Sequence, residues 1–170
     1  MVSSDHALLA LLDAGCWAVW STICGYVAHR LPSSVLARPP WPSPGRVERF
    51  ETRLRIQAWK DTLPEAGALF RGGFSKRHLQ ARDRASLERF AIETRRAEIA
   101  HWSILALGPA FFVWNPWWLA LAMLVYAGVA NVPCIAVQRY NRARLAALLG
   151  RRAAPPASHR EEHEQPIIEP

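Results

Sequence analysis

The sequence predicts an all-α fold, a small integral membrane protein of about three transmembrane helices with a cytoplasmic, interfacial helical region. Three observations predict it. The chain has 170 residues and is 51% apolar, and its apolar residues are concentrated at 7–28 and 102–137. The remaining segments carry helix-period stripes in place of strand alternation. Cations crowd the same side of each apolar stretch, the charge asymmetry of membrane topology.

This length allows one domain, and eight tryptophans with so much apolar surface favour a folded chain. The expected organisation is a single membrane domain over 1–152, with spans at about 7–28, 97–114 and 117–137 and an interfacial region at 29–96, before a disordered tail at 153–170. The formal net charge of +7 raises nucleic acid as a partner, but no folded nucleic-acid motif is visible and topology accounts for the arginines. Cys16, Cys24 and Cys134 lie in apolar segments without metal-ligand spacing, and an odd number argues against a disulfide framework. They are expected to be small buried hydrophobes.

The first span, Ala7 to Ala28, is about 33 Å long as a helix. A signal peptide is the competing reading, but MVSSDH carries an acid and no Lys or Arg, and HRLP is a poor cleavage site, so a retained helix is expected. Asp13 lies inside this span, where an ionised carboxylate costs about 2.5–3.5 kcal/mol. Trp17, Trp20 and Cys24 share its face. Either that face turns inward and Asp13 contacts the site, or Asp13 reaches the outer headgroups or carries a proton.

The prolines of RLPSSVLARPPWPSPG, residues 30–45, forbid regular pairing and predict an extended linker. A helix follows from Arg46, with Val47, Phe50, Leu54 and Ala58 on one stripe between Arg46, Glu48, Arg49, Arg53 and Arg55. This is the pattern of an interfacial helix on anionic lipid; packing on its own domain is the alternative. Pro64 ends the helix. The Gly72-Gly73 pair among Arg71, Lys76 and Arg77 reads as a plain turn, since a phosphate cradle would need a preceding strand and Walker spacing.

A further helix resumes near Ser86 and enters the membrane, and Asn115-Pro116 separates its apolar arm from the last span. Trp102 to Trp114 reach only about 20 Å, short of a 30 Å core. This arm is re-entrant, or it starts near Ala97 and draws Glu98 and His101 to the hydrocarbon edge. The second is preferred, because Trp114, Trp117 and Trp118 form an aromatic belt at the far interface. Between Ala28 and His101 stand fifteen Lys or Arg against eight Asp or Glu, and Arg139, Arg142 and Arg144 follow the last span. The positive-inside rule then gives a multi-pass protein of the cell membrane with its N-terminus outside and its C-terminus cytoplasmic. His159 and His163 in the tail are expected to be solvated, not metal ligands.

Thr94, Glu98 and His101 fall at i, i+4 and i+7 and line one face of the entering helix. A carboxylate one turn before a histidine can fix its tautomer and stabilise its imidazolium, the logic of a general-base pair. The alternative is an interfacial histidine capped by a salt bridge. Glu-x-x-His is also half of a di-iron signature, but no second copy lies in a span, so no metal is expected. On the exiting helix Asn131, Cys134, Gln138 and Asn141 make a polar stripe, and Pro133 frees the carbonyl of Val129. Such a stripe is either glue between helices or a wall of a headgroup site, where Arg139 and Arg142 would hold a phosphate or carboxylate. Candidate catalytic residues are therefore His101 and Glu98. Candidate substrate-binding residues are Glu93, Arg96, Asn131, Gln138, Arg139, Tyr140, Asn141 and Arg142.

IETRRAEIAHW, followed by YAGVANVPCIAVQRYNRARL, closely resembles the glycosyl-4,4'-diaponeurosporenoate acyltransferase family, small membrane proteins of the staphyloxanthin pathway. The match runs from about Trp59 to Leu145, with WKDTLPEAG as a supporting segment. The resemblance implies esterification of a sugar hydroxyl of a glycosylated carotenoid acid, or of a related glycolipid, with a fatty acyl group at the membrane surface. It carries over no catalytic roles, and the proline-rich linker and the His/Glu tail lie outside it. The partners implied are membrane lipid, the glycosylated acceptor and a fatty acyl donor. No cofactor is implied beyond that donor, for which acyl-CoA is natural. On this reading His101, oriented by Glu98, deprotonates the acceptor hydroxyl; Asn131 and Gln138 orient the sugar or stabilise the oxyanion; Arg96, Arg139 and Arg142 bind the anionic part of the donor. The alternative function is a non-catalytic membrane adaptor of a lipid or carotenoid pathway, its polar stripes serving only to pack helices. Three spans are a thin scaffold for two lipids, which makes a homo-oligomer compatible with either function.

Overall fold

The structure is a computed structural model, and it describes residues 4–37, 45–63 and 84–153. The Gly72-Gly73 turn, residues 38–44 of the proline-rich linker and the tail with His159 and His163 lie outside the described residues; the described start of the linker is not extended as expected, since Ser33–Leu36 form one helical turn behind Pro32. Within them every regular element is helical: α1 (Ser4–Arg30), α2 (Ser33–Leu36), α3 (Gly45–Leu54), 3-10 turns at Ile56–Ala58 and Lys60–Thr62, α4 (Arg84–Leu105), a 3-10 segment at Gly108–Val113, and α5 (Trp117–Ala153).

α1 and α5 follow from the two apolar stretches. Leu8, Leu11, Leu12, Val19, Ile23 and Val27 are exposed along α1, whereas Asp13, Cys24 and Ala28 are buried on its other side. One face of α1 is thus apolar and exposed, and the other packs on the protein. α5 has 37 residues, about 55 Å of helix, which is longer than the roughly 30 Å of a bilayer core.

α4 and α5 form an antiparallel hairpin, and α1 lies antiparallel to the rising arm. Three hydrogen bonds set that register: Arg96 Nη2 donates to the Leu31 carbonyl at 3.0 Å, Trp20 Nε1 to the Ser103 carbonyl at 3.0 Å, and Trp114 Nε1 to Asp13 Oδ1 at 2.9 Å. The outer ends of α4 and α5 close on a small core of Leu87, Ala91 and Leu145.

Among the described residues two helices, not the expected three, are long and apolar enough to cross a membrane: His6–Arg30 and Trp117–Leu149. The predicted span 97–114 is not one helix. α4 stops at Leu105, and Gly108-Pro109 opens a separate 3-10 segment. Proline lacks the amide hydrogen and its ring collides with the carbonyl four residues back, and Pro109 directly after Gly108 breaks the helix here, whereas α5 carries Pro133 without a break. The broken arm still runs far along α1, because its contacts at Leu31 and Asp13 are 18 residues apart, about 27 Å of helix. Its bent backbone is buried against α5. A Cβ on Gly108 would meet Leu124 Cδ1 at 2.9 Å and Ala127 Cβ at 3.3 Å, and glycine permits that approach.

The amphipathic helix is also corrected. Val47 and Phe50 do not face lipid; they pack with Trp59 and Leu63 on Ile56, Val137 and Tyr140, so α3 lies on α5. The helix ends at Leu54, short of Ala58. Arg55 takes a left-handed conformation (φ 45°), and the Trp59 indole caps the freed Leu54 carbonyl at 2.9 Å.

Candidate functional site

The face that Thr94, Glu98 and His101 share turns toward α5, and Thr94 and Glu98 are buried there. On α5, at 3.6 residues per turn, Asn131, Gln138 and Arg142 fall within about 20° of one direction, and Tyr140 points about 180° away from it. Helical spacing alone therefore divides the candidate residues of QRYNR between two sides of α5.

His101 Nδ1 lies 2.9 Å from Asn131 Oδ1. Asn131 Nδ2 donates to the Ala127 carbonyl at 2.9 Å, which fixes the amide with its oxygen toward the ring. Nδ1 must then carry the hydrogen, so that in the neutral imidazole Nε2 holds the lone pair. The residue that orients His101 is thus Asn131 from α5, two residues before Pro133. It is not Glu98, contrary to the expected pair.

Glu98 is engaged elsewhere. Arg139 Nε donates to its Oε1 at 2.6 Å, Arg142 Nη2 donates to its Oε2, and Trp102 Nε1 approaches Oε1 at 3.4 Å. One carboxylate thus faces two guanidiniums, leaving this cluster with one net positive charge. Arg142 Nη1 is buried without a hydrogen-bond partner among the described residues. Of the expected anion-binding trio, Arg139 and Arg142 come together, but Arg96 does not join them. It points to α1, pairs with Glu93 at 2.5 Å and caps the Leu31 carbonyl.

Tyr140 is fully buried on the opposite side of α5. Its hydroxyl donates to Glu51 Oε1 at 2.7 Å and accepts from Gln57 Nε2 at 3.2 Å, and Phe50 packs edge-on to its ring. Hydrogen bonds from Tyr140 and Gln57 hold the Glu51 carboxyl below its ordinary range. Tyr140 therefore docks α3, which corrects its expected role in binding substrate. Gln138 and Asn141 are half-buried and hydrogen-bond to none of the described residues. Asp13 belongs to a separate cluster with Trp114 and Asn115 at the far end of the bundle.

Three contributors have no place among the site residues that the sequence predicts: Trp102, Glu51 and Gln57. Trp102 stands one turn after Glu98, a spacing that could have flagged it, and Arg139 Cζ lies over its ring at 5.7 Å to the centroid. Glu51 and Gln57 carry no local signal, since their partner is more than 80 residues away. Among the described residues no three His, Cys, Asp or Glu side chains come together as a metal site would need. The arrangement can accept a proton at His101 Nε2 and can hold an anion beside Arg142.

The family model described as glycosyl-4,4'-diaponeurosporenoate acyltransferase matches residues 32–151. Proteins of that name from Staphylococcus aureus strains bovine RF122 / ET3-1 and MRSA252 are each 39% identical to this chain over 94 residues, 55% of this chain and 56% of theirs. The protein of that name from strain USA300 is 38% identical over the same length. The chain thus aligns with little more than half the length of these relatives. No solved structure matches.

Proposed function

The chain belongs to the glycosyl-4,4'-diaponeurosporenoate acyltransferase family, and from that premise we propose that it is a membrane acyltransferase that esterifies a sugar hydroxyl of a glycosylated carotenoid acid, or of a related glycolipid, with a fatty acyl group. The observation that carries the chemistry is the His101–Asn131 contact, which leaves Nε2 open beside a cationic cluster at the end of the α4–α5 hairpin.

α1 and α5 cross the cell membrane in the same direction, from outside to inside, and the broken arm returns between them. The arginines at the shared end of α1 and α5 support this orientation. The bent backbone at Gly108–Val113 is supported at depth by burial in protein, since unpaired backbone groups are not tolerated against lipid. The reacting groups then sit at the cytoplasmic interface, where the donor head is in water and both acyl chains stay in lipid.

In the proposed reaction the acceptor hydroxyl gives its proton to His101 Nε2 as its oxygen attacks the donor's acyl carbon. Asn131 holds the imidazole through Nδ1, so the ring is aligned before it becomes charged. Gln138, on the face of Asn131, supplies an amide donor to the oxyanion of the tetrahedral intermediate. The intermediate collapses by expelling the donor's thiolate, which takes the proton back from the imidazolium. The buried, unpartnered Nη1 of Arg142 offers a charge-assisted bond to an anionic group of the donor, an acyl-CoA in the simplest case. Glu98 keeps Arg139 and Arg142 apart and aimed.

The test is expression in a host that accumulates glycosylated carotenoid acids, with mass spectrometry of the membrane lipids. A new ester mass should form with the wild type. His101→Ala should lower its formation by at least about a hundredfold, the scale of a lost general base, without loss of protein from the membrane. Near-normal turnover by that variant refutes the assignment of His101, and absence of the ester with protein present in the membrane favours the adaptor.

A further inference from the structure

The half-exposed indole of Trp102 and the outward guanidinium of Arg139 combine two surfaces that a lipid chain does not want together. Trp102 is 47% exposed although it sits next to His101 and one turn from Glu98. The Arg139 side chain is 48% exposed and lies against the Trp102 ring. Its Nε is taken by Glu98, while its two terminal nitrogens make no hydrogen bond with the described residues. An aromatic plate thus stands beside a fan of free donors. Glu98 anchors both pieces, through the indole N–H at 3.4 Å and through Arg139 Nε at 2.6 Å.

A pyranose ring matches this pairing. One face of the ring presents C–H groups that pack on an indole, and the rim presents hydroxyl oxygens that accept from a guanidinium. A plain hydrocarbon chain would leave the guanidinium unsolvated, and a phosphate would ignore the indole. We infer that Trp102 and Arg139 form the sugar subsite of the acceptor, holding the glycosyl ring beside His101 so that one hydroxyl faces Nε2. This rests on the reading that the acceptor is a glycoside. It assigns Arg139 to the sugar and leaves Arg142 to the donor's anion.

The experiment is saturation-transfer NMR on the full chain in phosphatidylcholine–phosphatidylglycerol nanodiscs, with methyl β-D-glucopyranoside as a probe that does not partition into lipid. The wild type should transfer saturation to the ring C–H protons of the probe. Trp102→Phe, which keeps an aromatic face, should retain most of it. Trp102→Leu, which keeps an apolar residue at the interface but no π-face, should lose most of it, whereas a mere membrane anchor would be indifferent to sugar in either form. A wild-type signal no larger than that of empty nanodiscs, or a Trp102→Leu signal equal to the wild type's, overturns the inference. Should circular dichroism show Trp102→Leu unfolded, Arg139→Lys decides in its place: loss of signal supports the subsite and a full signal overturns it. The ester assay reads independently. Sugar contact without ester formation would sink the acyltransferase and leave the subsite standing; ester formation without sugar contact would do the reverse.

Discussion

Two buried carboxylates join helices at opposite ends of this bundle, and their surroundings differ. Glu98 has both oxygens held by guanidiniums that reach it from the polar end of α5. Among the described residues Asp13 has only Oδ1 engaged, by the neutral donors Trp114 Nε1 at 2.9 Å and Asn115 Nδ2 at 3.0 Å, while its Oδ2 and the Asn115 Oδ1 are buried without partners there. Cations stand near Glu98 because the QRYNR stretch follows the last apolar segment, and an arginine can extend its head toward water. The sequence places no Lys or Arg before Arg30 or between Ala97 and Gln138, the segments that surround Asp13. Glu98 is therefore an ion-paired node with one cation in excess beside the proposed chemistry, and Asp13 is a pin that ties α1 to the turn at Asn115.

The contrast should break most visibly at Glu98. Glu98→Ala strands Arg142 among buried atoms and should cost about 3 kcal/mol, the lower end for a broken buried pair because Arg139 stays half-exposed. Reversible unfolding in detergent measures it, and Glu98→Gln, which keeps an acceptor, should cost less. A loss for Glu98→Ala below about 1 kcal/mol would show the pair to behave as a surface one.

Asp13→Ala should cost about 1–2 kcal/mol, since it strands two neutral donors, and should leave ester formation unchanged because the residue is remote from His101. The same unfolding assay reads the first part and lipid mass spectrometry the second. A Glu98-sized loss would show that the two carboxylates do equivalent work.

The smallest effect is expected at a third carboxylate, Glu51, which is open to solvent and docks α3 through Tyr140. Its folded-state pKa lies below the ordinary 4.5, so its contribution is present above that value and fades as the pH falls beneath it. The Trp59 fluorescence, taken as the difference from Trp59→Phe, should change as α3 loosens below that range. Glu51→Gln should show the loosened signal already at neutral pH and respond no further to acid; a pH response that survives in Glu51→Gln would mean that another group is titrating.

The two apolar helices were legible because hydrocarbon content over some 20 residues is a local property. So was the polar stripe of α5, since Asn131 and Gln138 share a direction at any helical pitch near 3.6. The break at Pro109 was also written locally, but the stronger Asn115-Pro116 turn drew the boundary instead, and 97–114 was read as a third span. The amphipathic pattern of α3 was read correctly as amphipathic and assigned the wrong partner. An apolar stripe records that something covers it, not whether lipid or α5 does.

Sequence alone determined the helical class, the two long apolar helices, the end of the molecule where the arginines gather and the family to which the chain belongs, because each is set by composition or by short-range spacing. Tertiary structure alone decided who pairs with whom. Spacing proposed Glu98 for His101, since residues one turn apart are neighbours on any helix. Packing α4 against α5 brought two guanidiniums that compete better for a carboxylate than a neutral imidazole does, and an amide at Asn131 that fits the ring nitrogen left over. Those contacts span 30 to 44 residues of chain, and only the register of the hairpin selects them.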